Sequence, residues 1–330
     1  MNVKEELLGS LIDSFDGRRK RWGCMFKLLD YSEWKEYDGF SEGSGRSEKV
    51  WLVSPSDINA EIGVFKFPKY DPTSKTSTYE HVSEHLASKL GELMDMPTAR
   101  VEIGTYKGRV GSMSYLINKE TEVLQEGLSF ILRRHPNYDP VRMIDNDSGE
   151  HYALKHLLET SLSEKCVEFW IRMLIFDFLI GNSDRHQNNW AYIAPIEEQT
   201  EKTIVSRPCP LYDNGSSLCS FVREDQVITY LGNDTKRFNS LIDSKSKSMI
   251  RIDPNSTAHP THTEVIRYLL QTHSQTELIA KEVLNLQWSL IDILIDDYPE
   301  DMVSKDRKRL LKAFLNGKRK LLESIMMERR

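Results

Sequence analysis

Cysteine is scarce in this sequence, and the few cysteines follow no metal-binding pattern. The four cysteines among the 330 residues form no Cys-x-x-Cys pair and have no zinc-like spacing to the nine histidines. This composition argues against a structural zinc site and against a disulfide framework. We therefore expect free thiols in a reducing cytoplasm, with a secreted protein as the alternative.

The sequence also lacks a long apolar run, an excess of positive charge and a P-loop. The start, MNVKEELLGSLIDSF, has acidic residues where a signal peptide is basic, and no stretch approaches the roughly 18 uninterrupted apolar residues of a membrane span. The 44 basic and 50 acidic residues give a formal charge of -6, which argues against nucleic-acid binding as the main activity. No G-x-x-x-x-G-K-[ST] motif occurs. We expect no membrane span, no direct nucleic-acid partner and no P-loop nucleotide site.

The order of the predicted elements divides the chain into three parts. Residues 1–38 form an N-terminal extension that we expect to pack on the next part, residues 39–120 are β-rich, and residues 121–330 are mostly helical. Apolar spacing and turn residues predict strands over 49–53, 62–67, 100–106 and 109–117, and helices over 3–15, 78–93, 163–179, 263–272, 275–295 and 306–327. The polar segment 223–260 is predicted to be an irregular surface excursion.

The most informative segments are two loops that follow the helix over 163–179. They read GNSDRHQNNWAYI from Gly181 and LYDNGSSL from Leu211, and they contain Asp184, Asn189 and Asp213. Phosphoryl transfer needs a carboxylate that orients the attacking hydroxyl and oxygen ligands that hold Mg²⁺ against the phosphates. Asp184 and Asn189 reproduce the D-x-x-x-x-N spacing of a kinase catalytic loop, and the D-N-G segment corresponds to D-F-G. The motifs therefore indicate phosphotransfer.

These motifs resemble those of the HipA-like kinases, whose compact members carry G-N-x-D-R-H-x-x-N-W followed by D-x-G-S. The resemblance implies an α+β, bilobal protein-kinase-like fold with a small β-rich N-lobe and a larger, mostly helical C-lobe. It further implies ATP and Mg²⁺ as cofactors, Asp184 as the catalytic base, and Asn189 and Asp213 as metal ligands. His186 would belong to the same catalytic loop as an ordering residue. A similar D-R-H-x-x-N signature occurs in phosphoinositide kinases.

A lysine and a glutamate upstream complete the expected nucleotide site. Lys66, in the segment VFKFPK, lies in a predicted strand and matches the strand lysine that contacts the phosphates in kinases. HipA-like kinases show a similar x-K-F-P segment followed by a helix that supplies a glutamate. In this chain Glu80 is the expected ion-pair partner of Lys66, and Glu84, one turn later, is the alternative.

A glycine-rich segment precedes the first long predicted strand. Gly43, Ser44, Gly45 and Ser47 form a candidate phosphate-covering loop, because glycines let backbone N–H groups approach phosphate oxygens. An ordinary hairpin turn is the alternative. Ser44 or Ser47 is also a candidate for autophosphorylation, since a hydroxyl there would lie beside the bound phosphates.

The resemblance implies a serine/threonine protein kinase, of toxin or effector type, that acts on a hydroxyl of a protein substrate. An antitoxin or other regulatory protein is the expected partner, although the chain is shorter than full-length HipA toxins. Two alternatives are a phosphoinositide-type lipid kinase and a nucleotide-binding pseudokinase. The eight lysines and arginines over residues 305–320 are predicted to be a solvated helix face.

Overall fold

A computed structural model of the chain describes residues 26–39, 48–56, 60–72, 76–161, 163–196, 206–232 and 235–328. Two sets of predictions lie outside these residues. They are the helix over 3–15 and the glycine-rich loop with Gly43, Ser44, Gly45 and Ser47.

The N-terminal half is built on a β-sheet. The first eight strands are β1 (Leu29–Asp30), β2 (Lys35–Glu36), β3 (Lys49–Val53), β4 (Ile62–Lys66), β5 (Tyr70–Asp71), β6 (Thr76–Ser77), β7 (Val101–Tyr106) and β8 (Arg109–Tyr115). Six of them form one sheet in the order β1-β7-β8-β4-β3-β2, while β5 and β6 pair separately. The strands predicted from alternating apolar residues and the hairpin at Lys107 and Gly108 are confirmed. The described part of the predicted N-terminal extension supplies the two edge strands β1 and β2 of this sheet.

Strand β4 shows how the sheet presents a polar group beside its core. Side chains alternate between the two faces of a strand, so Phe65 and Lys66 point in opposite directions. Phe65 is fully buried among aromatic neighbours that include Tyr31 and Tyr106. Lys66, the last residue of the strand, therefore lies on the other face.

Helix α1 (Glu80–Leu93) packs on the sheet against β7 and β8. Its stripe of Val82, Leu86 and Leu90 is buried, as expected from apolar residues at helical spacing. Glu84 is buried on the same helix, which brings a carboxylate towards the face that carries Lys66.

The C-terminal half is mostly helical. The remaining helices are α2 (Gly127–Arg134), α3 (Leu154–Leu158), α4 (Glu164–Ile180), α5 (Glu224–Leu231), α6 (Thr235–Ile242), α7 (His262–Thr272), α8 (Gln275–Leu284), α9 (Trp288–Asp296) and α10 (Lys305–Glu328). Helix α4 is the core element, with Trp170, Ile171 and Phe178 fully buried. Gly181 ends it in the left-handed conformation at φ 67°, which glycine adopts without steric cost.

Short strands support the loop that follows α4. They are β9 (Glu122–Glu126), β10 (Tyr138–Asp139), β11 (Ile144–Asp145), β12 (Ala191–Pro195) and β13 (Arg207–Pro208). Strand β12 lies between β9 and β13, and β10 pairs with β11. Because β12 begins directly after the loop, its pairing fixes where the loop ends.

Two predictions about the helical half were wrong. The helix over 275–295 is two helices, α8 and α9, which pack separately against α10. The segment 223–260 is not an irregular excursion, because it contains α5 and α6, and Val227 of α5 is fully buried in a cluster with Leu310. Among the described residues, no helix combines the length and the apolar character needed to cross a membrane.

Candidate active site

The loop after α4 is anchored by a buried arginine, Arg185. Arg185 donates to both carboxylate oxygens of Asp177, at 2.9 and 2.7 Å, and its side chain is 1% exposed. It also donates to Asn214 Oδ1 at 2.7 Å and to the carbonyl oxygens of Asn189 and Tyr212 at 2.8 and 3.0 Å. One side chain therefore joins the end of α4, the D-R-H-x-x-N loop and the D-N-G segment.

Hydrogen bonds within the loop fix Asp184. Its backbone N–H donates to Asn182 Oδ1 at 3.0 Å, and its carbonyl oxygen accepts from Asn189 Nδ2 at 2.7 Å. The N–H of His186 donates to the same carbonyl at 2.9 Å, and His186 Nδ1 accepts from the N–H of Asn188. The Asp184 carboxylate is thus left free of these loop contacts, and His186 lies where a loop-ordering residue is expected.

Lys66 lies between two carboxylates. Its Nζ is 2.8 Å from Glu84 Oε1 and 2.8 Å from Asp213 Oδ1. Glu84 Oε2 accepts a further hydrogen bond from the Ser112 hydroxyl on β8. The strand lysine, helix α1 and the D-N-G segment therefore meet at one point.

The prediction that Glu80 pairs with Lys66 was wrong, and the alternative Glu84 is the partner. Glu80 instead forms an ion pair with Lys69 at 2.8 Å and accepts from the Thr78 hydroxyl at 2.7 Å. Glu80 is the first residue of α1 and binds the chain just before the helix, whereas Glu84 lies one turn further along and reaches β4.

The D-N-G segment adopts a special backbone conformation. Asp213 has φ 57°, a left-handed value that aspartate tolerates better than most residues. A Cβ atom at position 215 would lie 3.3 Å from the Glu84 side chain and 3.4 Å from the Glu80 side chain. Glycine at this position therefore allows α1 to approach the segment closely. This approach brings Asp213 within reach of Lys66.

Charge and burial set the protonation of these groups. The Lys66 ammonium lowers the pKa of Asp213 to about 2. Burial opposes the charge on Lys66, but Asp213 and Glu84 together outweigh it and raise the pKa of Lys66. Burial raises the pKa of Glu84 despite its ion pair, and burial also raises the pKa of Asp184, with a further contribution from Asp213. Asp184 is therefore a more basic carboxylate than Asp213.

The residues expected to hold magnesium fit a metal that also binds phosphates. Asp213 has a side chain 45% exposed and a negative charge favoured by Lys66. Because Asn189 donates through Nδ2, its Oδ1 is the remaining acceptor atom. The described residues contain no group of three or more His, Cys, Asp or Glu side chains that could hold a metal alone. A hard cation here would draw other ligands from phosphate oxygens and water, as Mg²⁺ does.

The four residues on which the prediction depended come together. Lys66 contacts Asp213, Asn189 contacts Asp184, and Asp184 and Asp213 interact electrostatically. The sequence prediction missed Arg185 and Asp177. The available signal was an arginine in a short loop after a buried helix, because such an arginine can be anchored to that helix.

A second buried chain of hydrogen bonds supports the loop from behind. His262 Nε2 is 2.9 Å from the Asn182 carbonyl, which can only accept, so this nitrogen carries the proton. His262 Nδ1 then accepts from the Ser246 hydroxyl at 2.9 Å, and Ser246 Oγ accepts from Lys318 Nζ at 2.7 Å. Burial, together with Lys318, lowers the pKa of His262 to about 3, in keeping with a neutral ring.

Comparison with known proteins supplies the context of this site. The chain matches no known protein-family model. It is 26% identical over 193 residues to the serine/threonine-protein kinase CtkA of Helicobacter pylori, in a match that covers 56% of this chain and 54% of CtkA. The match thus spans about half the length of this curated relative.

Two solved structures share the fold. The crystal structure of the H. pylori proinflammatory kinase CtkA matches with a TM-score of 0.72 at 18% identity, covering 92% of this chain and 99% of that chain. HipA of Shewanella oneidensis MR-1, solved with HipB and operator DNA, matches with a TM-score of 0.51 at 14% identity, covering 94% of this chain and 70% of that chain. The chain therefore has the α+β, bilobal kinase-like fold of CtkA and HipA, and the resemblance to the HipA-like kinases that its motifs indicated is confirmed.

Proposed function

We propose that this chain is a serine/threonine protein kinase that uses ATP and magnesium. The observation that carries the proposal is Lys66 between Glu84 and Asp213, with the Asp184 loop joined to the same segment through Arg185. In kinases the corresponding lysine and glutamate pair and the metal-binding aspartate must both be in place for transfer. The sequence relation to a serine/threonine-protein kinase supports a protein substrate.

Each residue has a role that follows from its contacts. Lys66 would bind the ATP phosphates, and Glu84 holds its ammonium in position. Asp213 and Asn189 would hold magnesium, which when bound neutralises phosphate charge and aligns the γ-phosphoryl group. Asp184, whose pKa burial raises, would accept the proton of the substrate hydroxyl. His186 orders this loop. We place the nucleotide between a lobe of residues 39–120 and a lobe of residues 121–330, and Gly43, Ser44, Gly45 and Ser47 would cover its phosphates.

The partners and the location are part of the same proposal. HipA in the S. oneidensis structure is solved with HipB, which supports an antitoxin-type or regulatory protein as a partner of this chain. Cys166, Cys209 and Cys219 are free thiols, which supports a location in the reducing cytoplasm. A toxin or effector role and autophosphorylation belong to the proposal as well.

Incubation with labelled ATP and magnesium tests the proposal. The wild-type chain is expected to label protein in a cell extract and not phosphoinositide vesicles. Asp184→Ala should lower the rate by about 10²–10⁴-fold while ATP still binds, because it removes the base. Asp213→Ala should abolish transfer and weaken magnesium-dependent ATP binding. Asp306→Ala, which removes an exposed carboxylate on α10, is the matched control and should retain full activity.

The other outcomes identify the alternatives. Label in the vesicles would establish a lipid kinase. ATP binding without transfer to any acceptor would establish a nucleotide-binding pseudokinase.

A further inference from the structure

Arg251 differs from the other buried arginines of the described residues. Arg185 and Arg307 are each 1% exposed, and each forms an ion pair, with Asp177 and Glu224 respectively. Arg251 is 7% exposed and has no carboxylate partner within the part of the chain that the structure describes. A buried, uncompensated charge is costly, so its retention calls for an anion that the fold itself does not supply.

The guanidinium is only partly hydrogen-bonded. Arg251 Nη2 donates to the Thr257 carbonyl and to His259 Nε2, both at 3.3 Å. Its Nε is buried and finds no acceptor in the described residues. Because His259 Nε2 accepts from Arg251, the proton of this ring is on Nδ1 and is donated to the Ser248 carbonyl.

Two further polar groups beside Arg251 are also unpaired. The Tyr138 hydroxyl and His151 Nδ1 are buried and find no hydrogen-bond partner among the described residues. Both side chains interact electrostatically with Arg251. Backbone pairing brings these residues together. Ile144 of β11, the strand paired with the one that carries Tyr138, forms a β-bridge with His151. The N–H of Arg251 donates to the carbonyl oxygen of Tyr152, the residue after His151.

Arg251 and Arg142 contribute positive charge to this cluster, and the Asp139 carboxylate acts on Tyr138 from nearby. Arg142, which is exposed and without an ion pair in the described chain, adds its field at His151. Two carboxylates of the β10–β11 segment already accept other hydrogen bonds: Asp139 accepts from the N–H groups of Val141 and Arg142, and Asp145 accepts from Ser148 and contacts His135. Burial lowers the pKa of Arg251, and burial with the Arg251 charge lowers the pKa of His151 and of His259. A bound anion would relieve each of these shifts.

We propose that Arg251, Tyr138 and His151 form a binding site for a phosphoryl group, which we call the Arg251 site. Guanidinium and phosphate match in geometry, and a phosphoryl group has enough oxygens to accept from the Arg251 Nε, the Tyr138 hydroxyl and His151 at once. The group would come from inorganic phosphate or from a phosphorylated side chain of a protein. The site flanks the candidate catalytic loop, because Gln187 Nε2 donates to the Pro140 carbonyl in the segment between β10 and β11. The inference does not rest on kinase activity.

The test uses the full chain with ¹⁵N-labelled histidine, titrated at constant ionic strength with inorganic phosphate and, separately, with a phosphoserine peptide and its unphosphorylated form. The ring signals of His151 and His259 should shift saturably, whereas the signal of His273, at the end of α7, should not. These signals separate the Arg251 site from any phosphate bound near Lys66. Tighter binding of the phosphoserine peptide than of phosphate would assign the site to phosphoproteins, and binding of phosphate alone would assign it to the free ion.

Variants locate the binding. Arg251→Gln should weaken phosphate at least about tenfold, the loss expected for a charged hydrogen-bond donor, and Arg142→Gln should weaken it less. Arg134→Gln removes an exposed arginine that also lacks an ion pair in the described chain, and it should bind as the wild type does. If Arg251→Gln does not fold, the phosphate affinities of Arg251→Lys and Arg142→Gln, compared with that of the wild type, decide whether phosphate binds at the Arg251 site. No saturable shift in the wild type, or equal affinity in the Arg251 and Arg134 variants, would overturn the proposal.

Discussion

Lys66 is held by two carboxylates that differ in exposure and therefore in role. The Glu84 side chain is 6% exposed and is also bound by Ser112, whereas the Asp213 side chain is 45% exposed. Glu84 is shielded from solvent between Lys66 and Ser112, while Asp213 remains accessible. The ion pair with Glu84 is thus structural support, and Asp213 is the carboxylate that faces solvent.

Glu84→Gln should lower kcat/KM for ATP-dependent phosphotransfer by about ten- to hundredfold. The substitution removes a charge-assisted hydrogen bond to Lys66, and such a bond contributes about 1.5–3 kcal/mol. Glu80→Gln is the matched control, since it removes a glutamate of the same helix whose partner is the half-exposed Lys69, and it should change kcat/KM by less than about threefold. Steady-state kinetics with varied ATP measures both variants, and a larger loss in the Glu80 variant would show that the Lys66–Glu84 pair is not the one used.

The same residues show what the sequence could predict at this scale. Asp184, Asn189 and Asp213 are set by short-range motifs, so their number and order are visible in the chain. Glu80 and Glu84 lie one turn apart on the same helix face, and each comes two residues before a member of the apolar stripe, Val82 or Leu86. Which turn reaches β4 depends on how α1 packs on the sheet, and this is a tertiary property.

Three elements depend on the Arg185–Asp177 pair. Asp177 belongs to α4, Arg185 to the candidate catalytic loop, and Asn214 to the D-N-G segment. Since both charged groups are almost fully buried, the loss of one leaves the other without compensation. The Arg185 side chain therefore links the loop that carries Asp184 to the segment that carries Asp213.

Arg185→Met should reduce the free energy of unfolding by about 3–5 kcal/mol, because it leaves the charge of Asp177 buried without an ion-pair partner. The double variant Arg185→Met with Asp177→Asn should recover part of this loss. Arg172→Met, on the helix that carries Asp177, is the control, and its part-exposed pairs with Glu168 and Glu282 should contribute about 0–1 kcal/mol. Urea unfolding followed by circular dichroism gives these values, and equal losses in the Arg185 and Arg172 variants would contradict the anchoring role.

Elements were predicted well where periodicity is local and poorly where packing decides. The pattern over 163–179 predicted α4 within about one residue of its observed bounds, and glycine marked its end. The apolar pattern over 275–295 continues through the break between α8 and α9, so the break was not visible. In 223–260 the helix α5 is short and only half of its residues are apolar, and its burial depends on Val227 meeting α10, which is far away in sequence.

The C-terminal helix links the end of the chain to the candidate catalytic loop. Lys318 and Arg307 of α10 are buried, so the prediction of a uniformly solvated basic face over 305–320 was wrong at these two positions. Lys318 lies over the rings of Phe178 and Phe314, at 4.7 and 5.6 Å from the ring centres, and donates to Ser246. Charge patterning alone could not identify these positions, because their burial depends on α5, the segment at Ser246 and the end of α4 packing around α10.

The free energy of unfolding should therefore depend on pH through Lys318. Burial lowers the pKa of Lys318 from 10.5 to about 7, whereas the unfolded chain keeps this lysine protonated up to about 10.5. Between these values the unfolded state binds one proton more than the folded state, so the contribution of Lys318 to the free energy of unfolding rises with pH, by at most about 1.4 kcal/mol per pH unit. Below about pH 7 Lys318 is protonated in both the folded and the unfolded state, and the free-energy cost of burying its charge is present in full.

Comparison with Lys318→Met isolates this effect, because methionine fills a similar volume without a titratable group. Urea unfolding at about pH 6.5, 8 and 9.5 should show wild type gaining on Lys318→Met as the pH rises. Lys312→Met controls for the loss of a lysine from the same helix. A constant difference between wild type and Lys318→Met across this range would mean that the amine does not titrate there, and the chain from Lys318 through Ser246 and His262 to Asn182 would then support the loop in a single charge state.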